Sequence, residues 1–386
     1  MRSIVSRARI AGMAMLASLS LCSMTAQETA PDIPTLVKSG NEANMKGDYE
    51  SARQSFAKAW ELAQETPRDS PVRYDLLKRL VAVRLAAGAF EDADNYLQMA
   101  INWREQTLGQ NDPKIADDLL ISVGLCRGLK NYDRARVVLG RVMGLHQVAF
   151  GPASSAMADD FSRMAQINME DKKIPAAISS YMMALSIRAK TVTPLDPSLV
   201  PDLDRLAGAY IASRDYPKAE ETYRHALVIR ETLYGKEDAD LIASVDGLAY
   251  SMFGQKKYDE AEPVYQRLIS LWIKSVGEDH PMVAMALDKV ATFYADQKKF
   301  DQAKDAQKRA NAIRAYFFAT GLSVEATEQI LEKNPAAAVA LYRRAATALD
   351  PPDPVTQELA SEINEIIKNM VTPPKVTKSA PPPKKK

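Results

Sequence analysis

Two cysteines and three histidines in 386 residues are too few for a disulfide framework or a cluster of soft metal ligands. Cys22 stands near the amino terminus, which leaves a single thiol, Cys126, in the rest of the chain. His146, His225 and His280 have no His or Cys partner at helical metal spacing. H-E-x-x-H, a phosphate-binding loop, G-x-S-x-G and a dinucleotide fingerprint are all missing, so the sequence announces no enzyme, no metal and no cofactor. Charge of one sign is also missing: the net charge is +1, and setting aside Arg2, Arg7 and Arg9 and the five lysines after Met370 leaves the body near −7. Phosphate backbones require several Lys or Arg on one surface, so nucleic acid is excluded as an expected partner.

Both ends differ in composition from the middle. Three arginines precede the apolar run "IAGMAMLASLSL" (Ile10 to Leu21), and no acid appears before Glu28. Twelve residues fall short of the ~20 that cross a bilayer as a helix, which makes residues 1–26 a signal peptide, followed by a linker at 27–33, and the protein exported, periplasmic or secreted. Two alternatives stand. "LSLC" ending at Cys22 resembles a lipoprotein acceptor, with Leu21 where Gly, Ala or Ser is usual, and an acid-free leader with Arg and Ser also suits a mitochondrial transit peptide. At the other end, Val355, Leu359, Ile363, Ile366 and Met370 recur at helical spacing and predict a capping helix over 351–370. Residues 371–386, "VTPPKVTKSAPPPKKK", have too little apolar surface to fold. Their lysines could make a peripheral contact with an anionic membrane, each worth up to about 1 kcal/mol.

What is present in abundance is repetition. Steps of 42 land on Phe90, Tyr132, Ile174, Tyr216, Tyr258 and Phe300. Three residues after each stands Ala93, Ala135, Ala177, Ala219, Ala261 or Ala303; seven after come Leu97, Leu139, Tyr181, Tyr223 and Tyr265; ten after come Ala100, Val142, Ala184, Ala226, Leu268 and Ala310. Spacings of three, four and seven mark one face of a helix. Gly109, Gly151, Gly235 and Gly277 stand nineteen residues on, where a chain leaving a helix can take a positive φ without a Cβ clash. A second helix is marked by Ala165, Ala207, Ala249 and Ala291, one repeat apart, small enough for a neighbouring helix to come close. Such a helix pair cannot bury both apolar faces alone, so the copies must stack. Cys126 falls in the column of Tyr210 and Tyr294, which predicts a buried, inert thiol.

These residues resemble a known family. Gly40, Ala52, Phe56 and Ala59 in "GNEANMKGDYESARQSFAKAWELA" are similar to an ordinary tetratricopeptide repeat, and "YPKAEETYRHALVIRE" with "VGEDHPMVA" resembles the 42-residue variety of kinesin light chains. The resemblance runs from about Leu36 to Ala310, with departures at Ile174-Pro175 and at "TPLDP". It implies an all-α, right-handed superhelical solenoid of helix-turn-helix repeats, with seven full repeats and a partial eighth over residues 34–350. After Phe318 the period slips, and Asn334 to Leu349 reads as the second helix of that eighth repeat. His280, before Pro281, matches a histidine of the family's turn. The implied function is a non-catalytic protein-interaction scaffold whose concave groove holds a partner peptide or protein segment. An envelope-associated assembly factor, held at a membrane by the basic tail or a lipidated Cys22, is the alternative. Oligomeric state is not legible.

The family's groove positions fall, copy by copy, on Ser162, Asp204, Asp246 and Asp288, then on Arg163, Arg205, Gly247 and Lys289, and one turn later on Gln166, Gly208, Tyr250 and Thr292. Kinesin light chains carry asparagine at the first two places, so that clamp does not carry over. The expected partner-binding set is Ser162, Arg163, Gln166, Asp204, Arg205, Asp246, Tyr250, Asp288, Lys289 and Thr292. In one reading the aspartates accept hydrogen bonds from a bound segment. In the other each is answered by an Arg or Lys of the same chain, since repulsion between carboxylates ~10 Å apart in water is only about 0.4 kcal/mol.

Overall fold

The computed structural model describes residues 32–332, 334–349 and 356–371. The leader, most of the linker and the tail beyond Val371 lie outside the described residues. Among those described, every regular element is a helix. The chain forms two compact units, residues 1–152 and 153–386, divided after the Gly151-Pro152 turn, where the repeat pattern alone counts one body.

The first unit holds α1 (Ile33–Met45), α2 (Tyr49–Ala63), α3 (Pro71–Ala86), α4 (Phe90–Leu108), α5 (Ile115–Gly128) and α6 (Tyr132–Phe150), each packed on the next. The second holds α7 (Ser155–Glu170), α8 (Ile174–Arg188), α9 (Val200–Ala212), α10 (Tyr216–Tyr234), α11 (Ile242–Gly254), α12 (Tyr258–Val276), α13 (Pro281–Asp296), α14 (Phe300–Leu331), α15 (Pro335–Ala348) and α16 (Gln357–Val371). Successive helices again pack in series, and α9 also touches α11, so first helices of neighbouring pairs meet.

The helices start and stop for local reasons. Asp32, Asp48, Asn131, Ser154 and Asp215 cap α1, α2, α6, α7 and α10 by accepting a backbone N–H with the side chain. His280 caps α13, its Nδ1 accepting from the Met282 N–H at 3.2 Å, which gives the turn role read from the sequence. The four turn glycines have φ between 84° and 92°. The turn inside each pair closes differently. In the pairs from α5 on, Lys130, Lys172, Arg214, Lys256 and Lys298 are all left-handed, with φ of 57° to 61°, and the following N–H reaches back five residues in the Schellman pattern, as from Asp215 to the Tyr210 carbonyl (2.9 Å).

The alanine columns make the stacking possible. Ala93, Ala135, Ala177, Ala219 and Ala261 are wholly buried, as are Ala165, Ala207 and Ala249. Leu97, Leu139 and Tyr265 fill the space beside them, each large apolar side chain contributing about 1.5–3 kcal/mol on burial. Cys126 is buried, and burial pushes its thiol pKa up.

At the C-terminal end α14 runs unbroken for 32 residues. Its first half packs on α13, while Ala319, Leu322 and Ala326 of its second half pack on Ala338, Leu341, Tyr342 and Ala345 of α15. α16 covers that cluster with Ala360 and Ile363. Ile366, which the spacing assigns to the covering face, is 37% exposed, and Ile367 packs there instead.

Candidate functional site

The candidate face is built on α7, α9, α11 and α13, the first helices of the second unit. One aspartate on each of the last three stands in register. All three turn out to be engaged inside the chain. Asp204 receives both terminal nitrogens of Arg230, at 3.1 and 2.6 Å, and the Ser244 hydroxyl at 2.8 Å. Asp246 pairs with Lys289 at 2.5 Å. Asp288 receives Arg314 and the Gln307 side-chain amide, the latter at 3.0 Å. The structure therefore favours in-chain pairing over three free acceptors.

Ser162, the first residue of that column, is buried rather than on the open face. Its hydroxyl lies 2.7 Å from Asp202 Oδ1. Asp202 is fully buried and also holds Arg188 Nε at 2.8 Å. A buried carboxylate needs such partners, because removing its water costs several kcal/mol.

Asp202 belongs to a column the sequence reading missed. One repeat apart stand Asp118, Asp160, Asp202, Ser244 and Ala286, all buried. Fourteen residues before Asp118, Asp202 and Ser244 stand Arg104, Arg188 and Arg230, which reach them at 3.3, 2.8 and 2.5 Å. In the first unit Asp118 additionally holds Lys78 at 2.8 Å and the Tyr74 hydroxyl at 2.9 Å. Burial, with Asp118 beside it, drives the Tyr74 pKa well up. The signal was there to find: stepping by 42 from Asp118 shows the column, and from Arg104 its partners.

The basic column is less fully engaged. Arg205 reaches Asp202 only at 3.4 Å, on a carboxylate that Arg188 and Ser162 already satisfy, and its side chain is 45% exposed. Arg163 lies 3.1 Å from the buried Asp160 and is 38% exposed. Gly247 stands in this column because the Tyr223 ring occupies its side-chain space, at 2.2 Å from where a Cβ would sit. Burial, then Asp204 and Asp246, pushes Tyr223 up to about 12.

One turn on, Tyr250 is 45% exposed and meets the rings of Tyr216 and Phe253 edge-on, both at 6.3 Å. Gln166 is half-buried, and Thr292 is exposed with its hydroxyl on the Asp288 carbonyl at 3.0 Å. The open part of the predicted set is thus Arg163, Arg205, Tyr250, Lys289 and Thr292. Among the described residues no three His, Cys, Asp or Glu side chains converge as a metal site, and no helix is long and apolar enough to cross a membrane.

Stacked antiparallel helix pairs on a 42-residue period, with an open polar face along their first helices, define a helical-repeat protein. The chain carries tetratricopeptide repeats: models of that repeat match residues 203–240 and 241–315. Among solved structures, a signal-transduction ATPase with numerous domains and a tetratricopeptide-repeat sensor, from Pyrococcus horikoshii, is 14% identical. It covers 79% of this chain and 44% of its own, with a TM-score of 0.53. A kinesin-light-chain protein of Podosopora anserina with nearly identical repeats is 18% identical over 53% of this chain and 96% of its own, at a TM-score of 0.48. BtubC from P. vanneervenii is 19% identical over 69% of this chain and 91% of its own, at 0.39. At these identities the likeness concerns the fold alone. No curated protein matches the sequence.

Proposed function

We propose that this protein is a non-catalytic scaffold that holds a segment of a partner protein along the first-helix face of α7, α9 and α11, and that the segment is acidic. Tetratricopeptide repeats serve as protein-interaction scaffolds; the sign of the partner's charge rests on one observation. Asp204, Asp246 and Asp288 are answered within the chain, whereas Arg163 and Arg205 stand half-exposed beside carboxylates that are buried. A basic segment would have to displace Arg230 and Arg314 to reach the aspartates, while an acidic one meets guanidinium groups with donors to spare. Tyr250, half-exposed against the rings of Tyr216 and Phe253, offers such a segment an apolar seat.

The leader supports a place of action outside the cytoplasm, which cell fractionation checks directly. Crosslinking and pull-down from the native compartment identifies the partner. With it in hand, Arg163→Glu with Arg205→Glu is expected to weaken binding at least tenfold at low salt, with the helical spectrum unchanged. Binding that survives this reversal but is lost on changing Asp204, Asp246 and Asp288 to Asn contradicts the acidic-segment reading.

A further inference from the structure

Tyr223 of α10 is only 9% exposed, and among the described residues its hydroxyl has no hydrogen-bond partner. A buried tyrosine ordinarily finds one. Gly247 on α11 shows which way this hydroxyl is turned. The ring atom nearest the place of a Gly247 Cβ is Cζ, the atom that carries the hydroxyl, at 2.2 Å, with the two Cε atoms at 2.5 and 2.6 Å. The tip of the ring therefore lies in the direction that a side chain at 247 would take. Arg163, Arg205 and Lys289, the other members of that column, point their part-exposed side chains to the open face. The Tyr223 hydroxyl is turned to the same face.

The sister repeats lack this opening. Tyr181 and Tyr265, one repeat to either side, are 3% and 2% exposed. Twenty-four residues after them stand Arg205 and Lys289, whereas twenty-four after Tyr223 stands Gly247. Glycine costs a helix interior about 1 kcal/mol against alanine, and here it uncovers one hydroxyl of the three. A second glycine keeps the approach clear. On the neighbouring α9, Gly208 stands in the column of Gln166, Tyr250 and Thr292, and a Cβ there would meet nothing within 4 Å. Such a gap lets another backbone come close.

We propose that Gly247 is a window through which the Tyr223 hydroxyl donates a hydrogen bond to a main-chain carbonyl of the bound segment. The inference rests on the segment lying along the first-helix face, as argued above. Burial, with Asp204 and Asp246 near, pushes the Tyr223 pKa up to about 12, so the hydroxyl keeps its proton. The same two carboxylates repel a carboxylate acceptor at this spot. A neutral carbonyl meets no such repulsion, and an extended chain offers one at every residue. The two kinds of contact thus divide the segment, its acidic side chains going to Arg163 and Arg205 and its main chain to Tyr223.

Fluorescein-labelled deca-glutamate, which charge repulsion keeps extended, is the probe, its binding to the full protein read by fluorescence anisotropy at low salt. Tyr223→Phe removes only the hydroxyl and is expected to weaken binding about three- to tenfold, the contribution of one neutral hydrogen bond, with the melting temperature unchanged. Tyr265→Phe should bind as the parent does. A Tyr223→Phe variant that binds as tightly as the parent, while Arg163→Glu with Arg205→Glu does not, overturns this inference and leaves the acidic-segment reading standing. Equal losses for Tyr223→Phe and Tyr265→Phe also overturn it. If the arginine reversal changes nothing, the acidic-segment reading falls alone where Tyr223→Phe still weakens binding, and both fall where it does not. A parent protein that fails to bind the peptide overturns both.

Discussion

The Ser162 hydroxyl lies 2.7 Å from the buried carboxylate of Asp202, and one repeat later the two residue types have changed places, Ser244 donating to Asp204 at 2.8 Å. Each pair spans forty residues and joins the first helices of adjacent repeats, with an arginine of the intervening helix, Arg188 or Arg230, closing it. The exchange keeps one carboxylate, one hydroxyl and one guanidinium at each joint. Removing the carboxylate leaves the largely buried Arg188 with Asp159 alone and the buried Ser162 hydroxyl with only the Ala158 carbonyl, so Asp202→Ala is expected to cost about 2–3 kcal/mol. The exchange variant, Ser162→Asp with Asp202→Ser, should recover at least half of that. Urea denaturation of the three proteins checks both, and an exchange variant no more stable than Asp202→Ala would falsify the idea of equivalent joints.

Lysine and arginine in the left-handed region carry a penalty of roughly 1–2 kcal/mol that glycine avoids. Lys256 has φ of 58°, so Lys256→Gly should raise stability by about 0.5–1 kcal/mol after the extra freedom glycine gives the unfolded chain. The opposite sign is expected at Gly254, where a new Cβ would lie 2.6 Å from the Tyr216 ring. Gly254→Ala should cost about 1–3 kcal/mol by overpacking. Paired thermal melts read both; equal shifts of one sign would contradict them.

Acid should loosen one joint in particular. Glu220 is nearly buried, and burial, the largest influence on its pKa, raises it, but hydrogen bonds from Lys257, Arg224 and Gln255 together hold it below the ordinary 4.5. A carboxylate whose folded pKa is depressed contributes stability that is present above its unfolded pKa and is lost as pH falls through the folded one. The stability difference between the parent and Glu220→Gln should therefore be largest near pH 6 and shrink below pH 4.5. A difference that stays constant down to pH 3 contradicts this.

How much of this was legible in the sequence depends on the range of each interaction. The alanine columns, the turn glycines and the His280 cap follow from spacings within one repeat, and the structure has them. The buried aspartates were not seen, because their partners stand fourteen and forty residues away and only the stacking register brings them together. For the same reason Ser162 was placed on the open face, although its neighbour Asp202 draws it inward. Residues 319–331 contain no proline and a single glycine, Gly321, so nothing stops α14 there even though the repeat period has slipped. On α16 the spacing names Ile366, whereas packing on the cluster of α14 and α15 takes in its neighbour Ile367.

Site-specific photocrosslinking in the native compartment tests the scaffold reading most directly. A crosslinker at Tyr250 should capture a polypeptide whose linked segment is acidic, and the same group at Glu221, on the outward face of α10, should not. Equal capture at both positions, or capture at Tyr250 that Arg163→Glu with Arg205→Glu leaves untouched, contradicts it.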